Sequence, residues 1–174
     1  MKRILAMAAF ALLLTGASDD QLSNKKYALP ASALSFAKFT FLKNGVRLSM
    51  MRGDFQYFGI IEGATCGSTK KLITYSGGIG GNTKEKLVSI ASGQRLRIVG
   101  AIQKQTNAGY QLELYSNCTN IISFTPLPGH SYFVKQDNQG SGRDLSCTMS
   151  IDDAESRSAP PDVIVEASPS CRSF

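Results

Sequence analysis

His130 is the only histidine in the chain, so any reaction that needs an imidazole base must use this residue. A Ser-His-Asp or Cys-His mechanism requires a nucleophile within hydrogen-bond reach of that imidazole. The chain contains no G-x-S-x-G nucleophile motif, and the sequence Pro-Gly-His-Ser-Tyr around His130 is typical of a polar turn. We therefore predict no catalytic residues and expect the chain not to be an enzyme.

Metal ligands of the usual kind are equally scarce. A common mononuclear zinc site takes its ligands from several histidines or cysteine thiolates. The four cysteines are 52, 29 and 24 residues apart, unlike paired C-x-x-C ligands. Acidic pairs such as Asp152-Asp153 do not have the spacing of a calcium-binding loop. We expect no metal site and no cofactor.

A glycine-rich run from Gly77 to Lys84 has the composition of an anion-binding loop, because glycines let backbone N–H groups surround a phosphate. It lacks the G-x-x-x-x-G-K-[ST] order, and no convincing helix follows it. A hairpin loop is favoured, and loops of this kind often carry binding. We predict binding loops here and at residues 126–130, with Gly77, Gly78, Gly80, Gly81, Asn82, Lys84, Pro128 and His130 as the candidate contact residues.

The elements that must position these loops are β-strands. Apolar and polar residues alternate in short runs, which is the pattern of half-buried strands. Asn, Gly and Pro turns separate the runs at intervals of about ten residues, as in a sandwich or small barrel. We predict an all-β fold, a single antiparallel β-sandwich of immunoglobulin- or transthyretin-like type, with strands in residues 36–41, 72–75, 87–90, 96–99, 110–115, 132–134, 145–151 and 163–165.

The N-terminus predicts export. Lys2 and Arg3 precede an uncharged run over residues 4–14, and Thr15-Gly16-Ala17 supplies small residues before a polar stretch. Eleven apolar residues are too few to span a bilayer, so we expect no transmembrane segment. We predict a signal peptide over 1–17 that is cleaved after Ala17, an N-terminal tail over 18–31, a sandwich domain over 32–174, and a periplasmic or secreted location.

Export to an oxidising compartment makes disulfides the default state of the four cysteines. Four cysteines allow three connectivities, and spacing does not choose among them. We favour Cys118–Cys147, since each lies at the edge of a strand-like run and one hairpin-sized insertion separates them. That choice leaves Cys66 to pair with Cys171, giving two disulfides.

The charge of the chain admits several acidic partners. The net charge of +6 includes Lys2 and Arg3, so the mature chain would carry +4. A positive charge speeds association with acidic partners without naming one. The basic residues are scattered, and they lack the clustered Lys and Arg with interleaved aromatics that nucleic-acid domains show. We expect a protein or an anionic envelope polymer as partner, and no specific nucleic acid.

Two stretches of the chain, taken together, resemble the sequence pattern of a known group of proteins. Val88-Ser89-Ile90-Ala91-Ser92-Gly93-Gln94-Arg95-Leu96-Arg97-Ile98 is followed by Cys118 and then by Ser123-Phe124-Thr125-Pro126-Leu127-Pro128-Gly129-His130-Ser131-Tyr132. This order resembles small exported bacterial β-sandwich proteins of largely uncharacterised function, in which a strand enters an alanine-x-glycine turn and a Phe-x-Pro-x-x-Gly-x-x-Tyr stretch precedes a second cysteine. The resemblance covers about residues 86–152. It implies the fold and provides no catalytic residues, and Ser92 departs from the usual direct Ala-Gly pair.

Two functions fit these observations. The first is an exported, non-catalytic binding or structural module of the cell envelope. The alternative is a secreted or periplasmic inhibitor or immunity-type protein that blocks a partner enzyme with a rigid loop, because disulfide-pinned strands preorganise a loop and lower the entropic cost of binding. The sequence leaves the partner, the oligomeric state and the strand order open.

Overall fold

The computed structural model describes residues 21–44, 54–76, 84–108, 112–140 and 142–167. Within these ranges the chain is all-β, and no helix in them is long and apolar enough to cross a bilayer. Two 3-10 helices, Cys66–Ser68 and Gly142–Asp144, interrupt the strands. The strands are β1 Phe36–Leu42, β2 Phe55–Ile61, β3 Thr69–Ser76, β4 Glu85–Ala91, β5 Leu96–Ala108, β6 Leu112–Phe124, β7 Ser131–Gln139, β8 Ser146–Asp153 and β9 Ile164–Glu166.

The strands form two sheets, consistent with the predicted sandwich. One sheet has the order β4-β1-β7-β8 and the other β3-β2-β5-β6-β9. Every described pair is antiparallel except β1 and β7, which run parallel with Phe39 opposite Tyr132. The prediction of a purely antiparallel sandwich is therefore wrong for this pair. No hairpin joins β1 to β7, and strands linked through a long connection are free to pair in either direction.

The core between the sheets is aromatic. Phe39 and Phe41 of β1 are fully buried and lie against Phe58, Phe124 and Tyr132 from other strands. The ring centroids of the contacting pairs are 5.0 to 6.2 Å apart, within the range of favourable aromatic contacts. Alternating residues of each strand supply this layer, as the period of two requires.

A second, smaller core covers the outer face of the five-stranded sheet. Tyr57 and Ile61 of β2 face outward there and are nevertheless buried, together with Val99 and Ile121. Leu22 from the segment before β1 lies in this cluster with 2% of its surface exposed. The segment predicted as a tail thus packs against the outer face of the sheet through Leu22.

A disulfide joins the two sheets. Cys118 of β6 and Cys147 of β8 are bonded, with Cα atoms 5.7 Å apart, which is the pairing that the sequence favoured. The carbonyl of Cys147 also accepts a hydrogen bond from Asn120 Nδ2, at 3.0 Å. Cys66 is buried and is not a free thiol. Its predicted partner, Cys171, lies outside the described residues, so the second disulfide stays a prediction.

Candidate functional site

One cavity is a groove along one side of the sandwich, where the edge strands β3 and β4 of the two sheets face each other. It has a volume of about 700 Å³. Hydroxyl and apolar side chains of both strands form its walls, and four lysines complete the lining. The lining residues are Lys26, Tyr27, Lys43, Lys71, Leu72, Ile73, Thr74, Tyr75, Ser76, Lys86, Leu87, Val88 and Ser89.

The lysines reach the groove from four different parts of the chain. Lys26 precedes β1, Lys43 follows it, Lys71 belongs to β3 and Lys86 to β4. In the sequence they look scattered, because only strand pairing brings them together. The sequence reasoning missed this cluster. The positive net charge of the mature chain is the one sequence feature that indicates such a cluster. A net charge does not show where in the fold the lysines lie.

Hydrogen bonds fix the shape of the groove. Tyr27 N donates to Lys71 O at 2.8 Å, and Ala91 N donates to the Tyr27 hydroxyl at 3.1 Å. Tyr27 therefore ties the edge of β3 to the edge of β4. Lys43 N donates to Lys84 O at 2.8 Å, which fixes the start of β4 beside the end of β1.

Two of the four groove lysines have no acidic partner within the described part of the chain. Other basic side chains are in ion pairs, such as Arg97 with Glu166 at 2.8 Å and Arg95 with Asp162 at 3.5 Å. Lys26 and Lys86 form no ion pair there. Lys71 Nζ donates to Asn24 Oδ1 at 3.2 Å, a neutral partner that leaves the charge in place.

One acidic side chain lies close to the groove. Burial raises the pKa of Tyr75 to about 12, and the negative charge of Glu85 adds to this rise. The Tyr75 hydroxyl donates to Phe41 O at 2.7 Å, so Tyr75 is neutral and structural. The charged groups of the groove are therefore the lysines, and the negative charge of Glu85 offsets part of their positive charge.

A second cavity of about 470 Å³ lies where β7 begins and β8 ends. Its walls include Leu127, Tyr132, Pro160 and Pro161, and the imidazole of His130 faces it together with acidic groups. The lining comprises Thr125, Leu127, His130, Tyr132, Asp153, Glu155, Ser156, Ser158, Ala159, Pro160, Pro161 and Asp162. The segment 153–162 thus forms one wall of this cavity.

The polar centre of this second cavity is a pair of charged groups. His130 Nδ1 lies 2.7 Å from Asp153 Oδ2. This hydrogen bond raises the pKa of His130, although partial burial opposes the rise. The same bond lowers the pKa of Asp153, whose other oxygen accepts hydrogen bonds from Glu155 N at 2.8 Å and Ser156 N at 3.2 Å. Between the two pKa values both groups are ionised.

The residues predicted for binding loops fall in different places. Lys84 is exposed and directly precedes β4 at the groove, while Pro128 and His130 belong to the second cavity's side of the molecule. Lys84 and His130 therefore do not line the same cavity in the described structure. Gly77, Gly78, Gly80, Gly81 and Asn82 lie outside the described residues.

Comparison with protein-family models, with curated proteins and with solved structures finds no match. The resemblance to exported bacterial sandwich proteins therefore stays a prediction.

Proposed function

We propose that the chain is an exported, non-catalytic binding module of the cell envelope, and that the groove between β3 and β4 binds an anionic polymer. The observation that carries this proposal is the convergence of four lysines on one cavity of about 700 Å³. The predicted signal peptide and the disulfide chemistry support a location outside the cytoplasm.

The affinity for such a polymer would come from several weak contacts made at once. An exposed lysine contributes only about 0.2–1 kcal/mol to one ion pair, because water and salt screen the charge. Several such contacts along one groove add up when the ligand carries charges at intervals, as a polyphosphodiester or polycarboxylate does. The hydroxyls of Thr74, Ser76 and Ser89 provide donors for the anionic oxygens between the lysines.

The experiment uses the mature chain with its disulfides intact and a labelled teichoic-acid-type polyphosphodiester as the probe. The variant Lys26→Glu/Lys86→Glu replaces two attractions by two repulsions. We expect about a tenfold loss of affinity, since a tenfold change corresponds to about 1.4 kcal/mol. Raising the salt concentration should weaken wild-type binding in the same direction.

The control variant is Lys38→Glu/Lys104→Glu, which changes the net charge equally at positions that do not line the groove. It should lose much less affinity than the groove variant. Equal losses in both variants would mean that only the overall charge matters, and tight binding of neutral dextran would contradict an electrostatic groove. If the chain bound an acidic protein more tightly than the polymer, the proposed polymer partner would be wrong.

Two finer features of the fold belong to the same proposal. We propose the second disulfide between Cys66 and Cys171, and an immunoglobulin- or transthyretin-like relationship for the sandwich. Peptide mapping without reduction tests the disulfide, because a fragment containing both cysteines is expected and two separate free-thiol peptides would contradict it.

A second candidate function, inhibition of a partner enzyme, is favoured by the shape of the loop at residues 126–130. Gly129 N donates to Phe36 O at 2.9 Å, and Gly93 N donates to Pro126 O at 2.9 Å. Gly129 has a φ of +79°, which glycine adopts without strain. The loop is thus held from several sides while Leu127 stays 52% exposed at its tip.

The test of this alternative is an inhibition assay on an enzyme that co-purifies with the chain from its export compartment. An inhibitor should block that enzyme at a one-to-one ratio, and Leu127→Asp should abolish the block. Equal inhibition by wild type and Leu127→Asp would exclude this loop as the blocking element.

A further inference from the structure

The second cavity contains a side-chain group that the proposed function does not use. His130, Asp153 and Glu155 each place one ligand atom so that all three atoms lie within 4.8 Å of one another. His130 immediately precedes β7 and Asp153 ends β8, and these strands pair with Tyr132 opposite Asp153. The group is therefore assembled by the sheet, with Glu155 added by the turn that follows.

The turn after β8 presents the two carboxylates in a defined way. Asp153 is buried, and its Oδ1 accepts from Glu155 N and Ser156 N. Its Oδ2 is thereby directed to His130. Asp153 N donates to Ser158 O at 2.9 Å, and Arg157 N donates to Asp153 O at 2.9 Å, which closes the turn and sets Glu155 beside the imidazole.

The ligand atoms of His130, Asp153 and Glu155 favour some cations over others. An imidazole nitrogen with carboxylate oxygens suits Zn²⁺ and similar divalent transition ions, whereas Ca²⁺ and Mg²⁺ favour oxygen ligands alone. Neighbouring ligand atoms of a tetrahedral ion with bonds of about 2.1 Å lie about 3.4 Å apart. The 2.7 Å between His130 Nδ1 and Asp153 Oδ2 is the distance of a hydrogen bond, so the two atoms must move apart slightly to hold an ion. A small increase in the His130–Asp153 distance and a rotation of the exposed Glu155 side chain would bring all three ligand atoms around one ion.

We propose that His130, Asp153 and Glu155 bind a divalent transition-metal cation of the Zn²⁺ type in the second cavity. The ion takes the place of the proton shared by His130 and Asp153, and that proton leaves to solvent on binding. The 470 Å³ of space beside the group leaves room for water, or for a donor from a bound partner, at the remaining coordination position.

The test is calorimetric titration of the chelator-treated mature protein with Zn²⁺. We expect saturable binding at a one-to-one ratio, and no comparable binding of Mg²⁺. His130→Ala should weaken the binding of Zn²⁺ at least tenfold. Glu155→Gln should weaken it severalfold, and this exposed position keeps the test valid if His130→Ala does not fold.

Asp152→Asn is the matched control, because it removes the same charge one residue from Asp153 and Asp152 is not in the group. It should bind Zn²⁺ like the wild type. Absence of saturable binding would overturn the proposal, and so would unchanged binding in both His130→Ala and Glu155→Gln. If Asp152→Asn weakened Zn²⁺ binding as much as Glu155→Gln, the loss would reflect the net charge of the region and not a ligand role of Glu155.

Discussion

The hydrogen bond between His130 and Asp153 makes stability depend on pH. The raised pKa of His130 means that its contribution is fully present below about 6.5 and is lost as the pH rises through the folded-state value. The lowered pKa of Asp153 means that its contribution is present above about 3.8 and is lost as the pH falls through its folded-state value. The pair therefore stabilises the fold most between these two limits.

We predict that metal-free wild type loses stability between about pH 5.5 and pH 8.5 and that His130→Gln loses less over the same interval. Urea unfolding at the two pH values measures this difference. Parallel declines in wild type and variant would show that other groups cause the pH dependence.

Gly100 is a residue whose missing side chain matters. A Cβ at this position would lie 2.8 Å from Met149 Sδ and 2.9 Å from Gln136 Oε1. Gln136 is fully buried, and its Nε2 donates to Asn120 Oδ1, so this side chain has little freedom to move away. We predict that Gly100→Ala lowers the free energy of unfolding by about 1–3 kcal/mol through overpacking.

The control for Gly100→Ala is Gly67→Ala, where the nearest atom to a new Cβ is 3.9 Å away. This variant should unfold within about 0.5 kcal/mol of the wild type. Thermal or denaturant unfolding of both proteins decides the comparison. Equal stability of the two variants would contradict the close packing described for Gly100.

At the scale of elements, the sequence predicted a run within each described strand except β2, which it missed for a physical reason. β1 and β8 alternate, since one face of each is more deeply buried than the other. β2 does not alternate, because the aromatic core covers one face and the Leu22 cluster covers the other. A strand buried on both faces has no period of two, so the pattern used for the other strands could not detect it.

The segment before β1 is the second element that local sequence could not place. Its sequence shows no alternation of apolar and polar residues, yet Leu22 is buried and Tyr27 bonds to both edge strands. One apolar residue at the correct position is enough to attach such a segment, and a single residue makes no periodic signal.

We predict that Leu22→Ala lowers the free energy of unfolding by about 2–5 kcal/mol, because it leaves a cavity over the outer face of the sheet. The matched change is Leu34→Ala at a fully exposed position, 102% accessible, where we expect a change within about 0.5 kcal/mol. Denaturant unfolding of both variants provides the measurement. A harmless Leu22→Ala would mean that the segment contributes nothing to the fold.

At the scale of the whole molecule, the Cys118–Cys147 disulfide joins one sheet to the other. It closes a loop across 29 residues of sequence. In the chain-entropy model such a loop contributes about 3.5 kcal/mol. We predict that Cys118→Ala/Cys147→Ala lowers the free energy of unfolding by about that amount and shifts the urea midpoint accordingly. An unchanged midpoint would show that packing alone holds the sheets together.

The groove is the feature that sequence could least predict. Strand alternation predicts which residues are buried, but the neighbours of β3 and β4 depend on the order of strands across two sheets. Lys26, Lys43, Lys71 and Lys86 become neighbours only through that order. The same holds for His130, Asp153 and Glu155, which need the pairing of β7 with β8. Local patterns thus predicted the strands, whereas both candidate sites required the tertiary structure.

The measurement that tests the groove most directly is backbone amide chemical-shift mapping of the labelled mature protein during titration with the teichoic-acid-type polymer. We expect saturable shifts concentrated at Tyr27, Thr74 and Lys86, on both walls of the groove, and their loss at high salt. Shifts concentrated instead around Lys135 on the outer face of the four-stranded sheet, or no saturable shifts at all, would contradict the proposed groove.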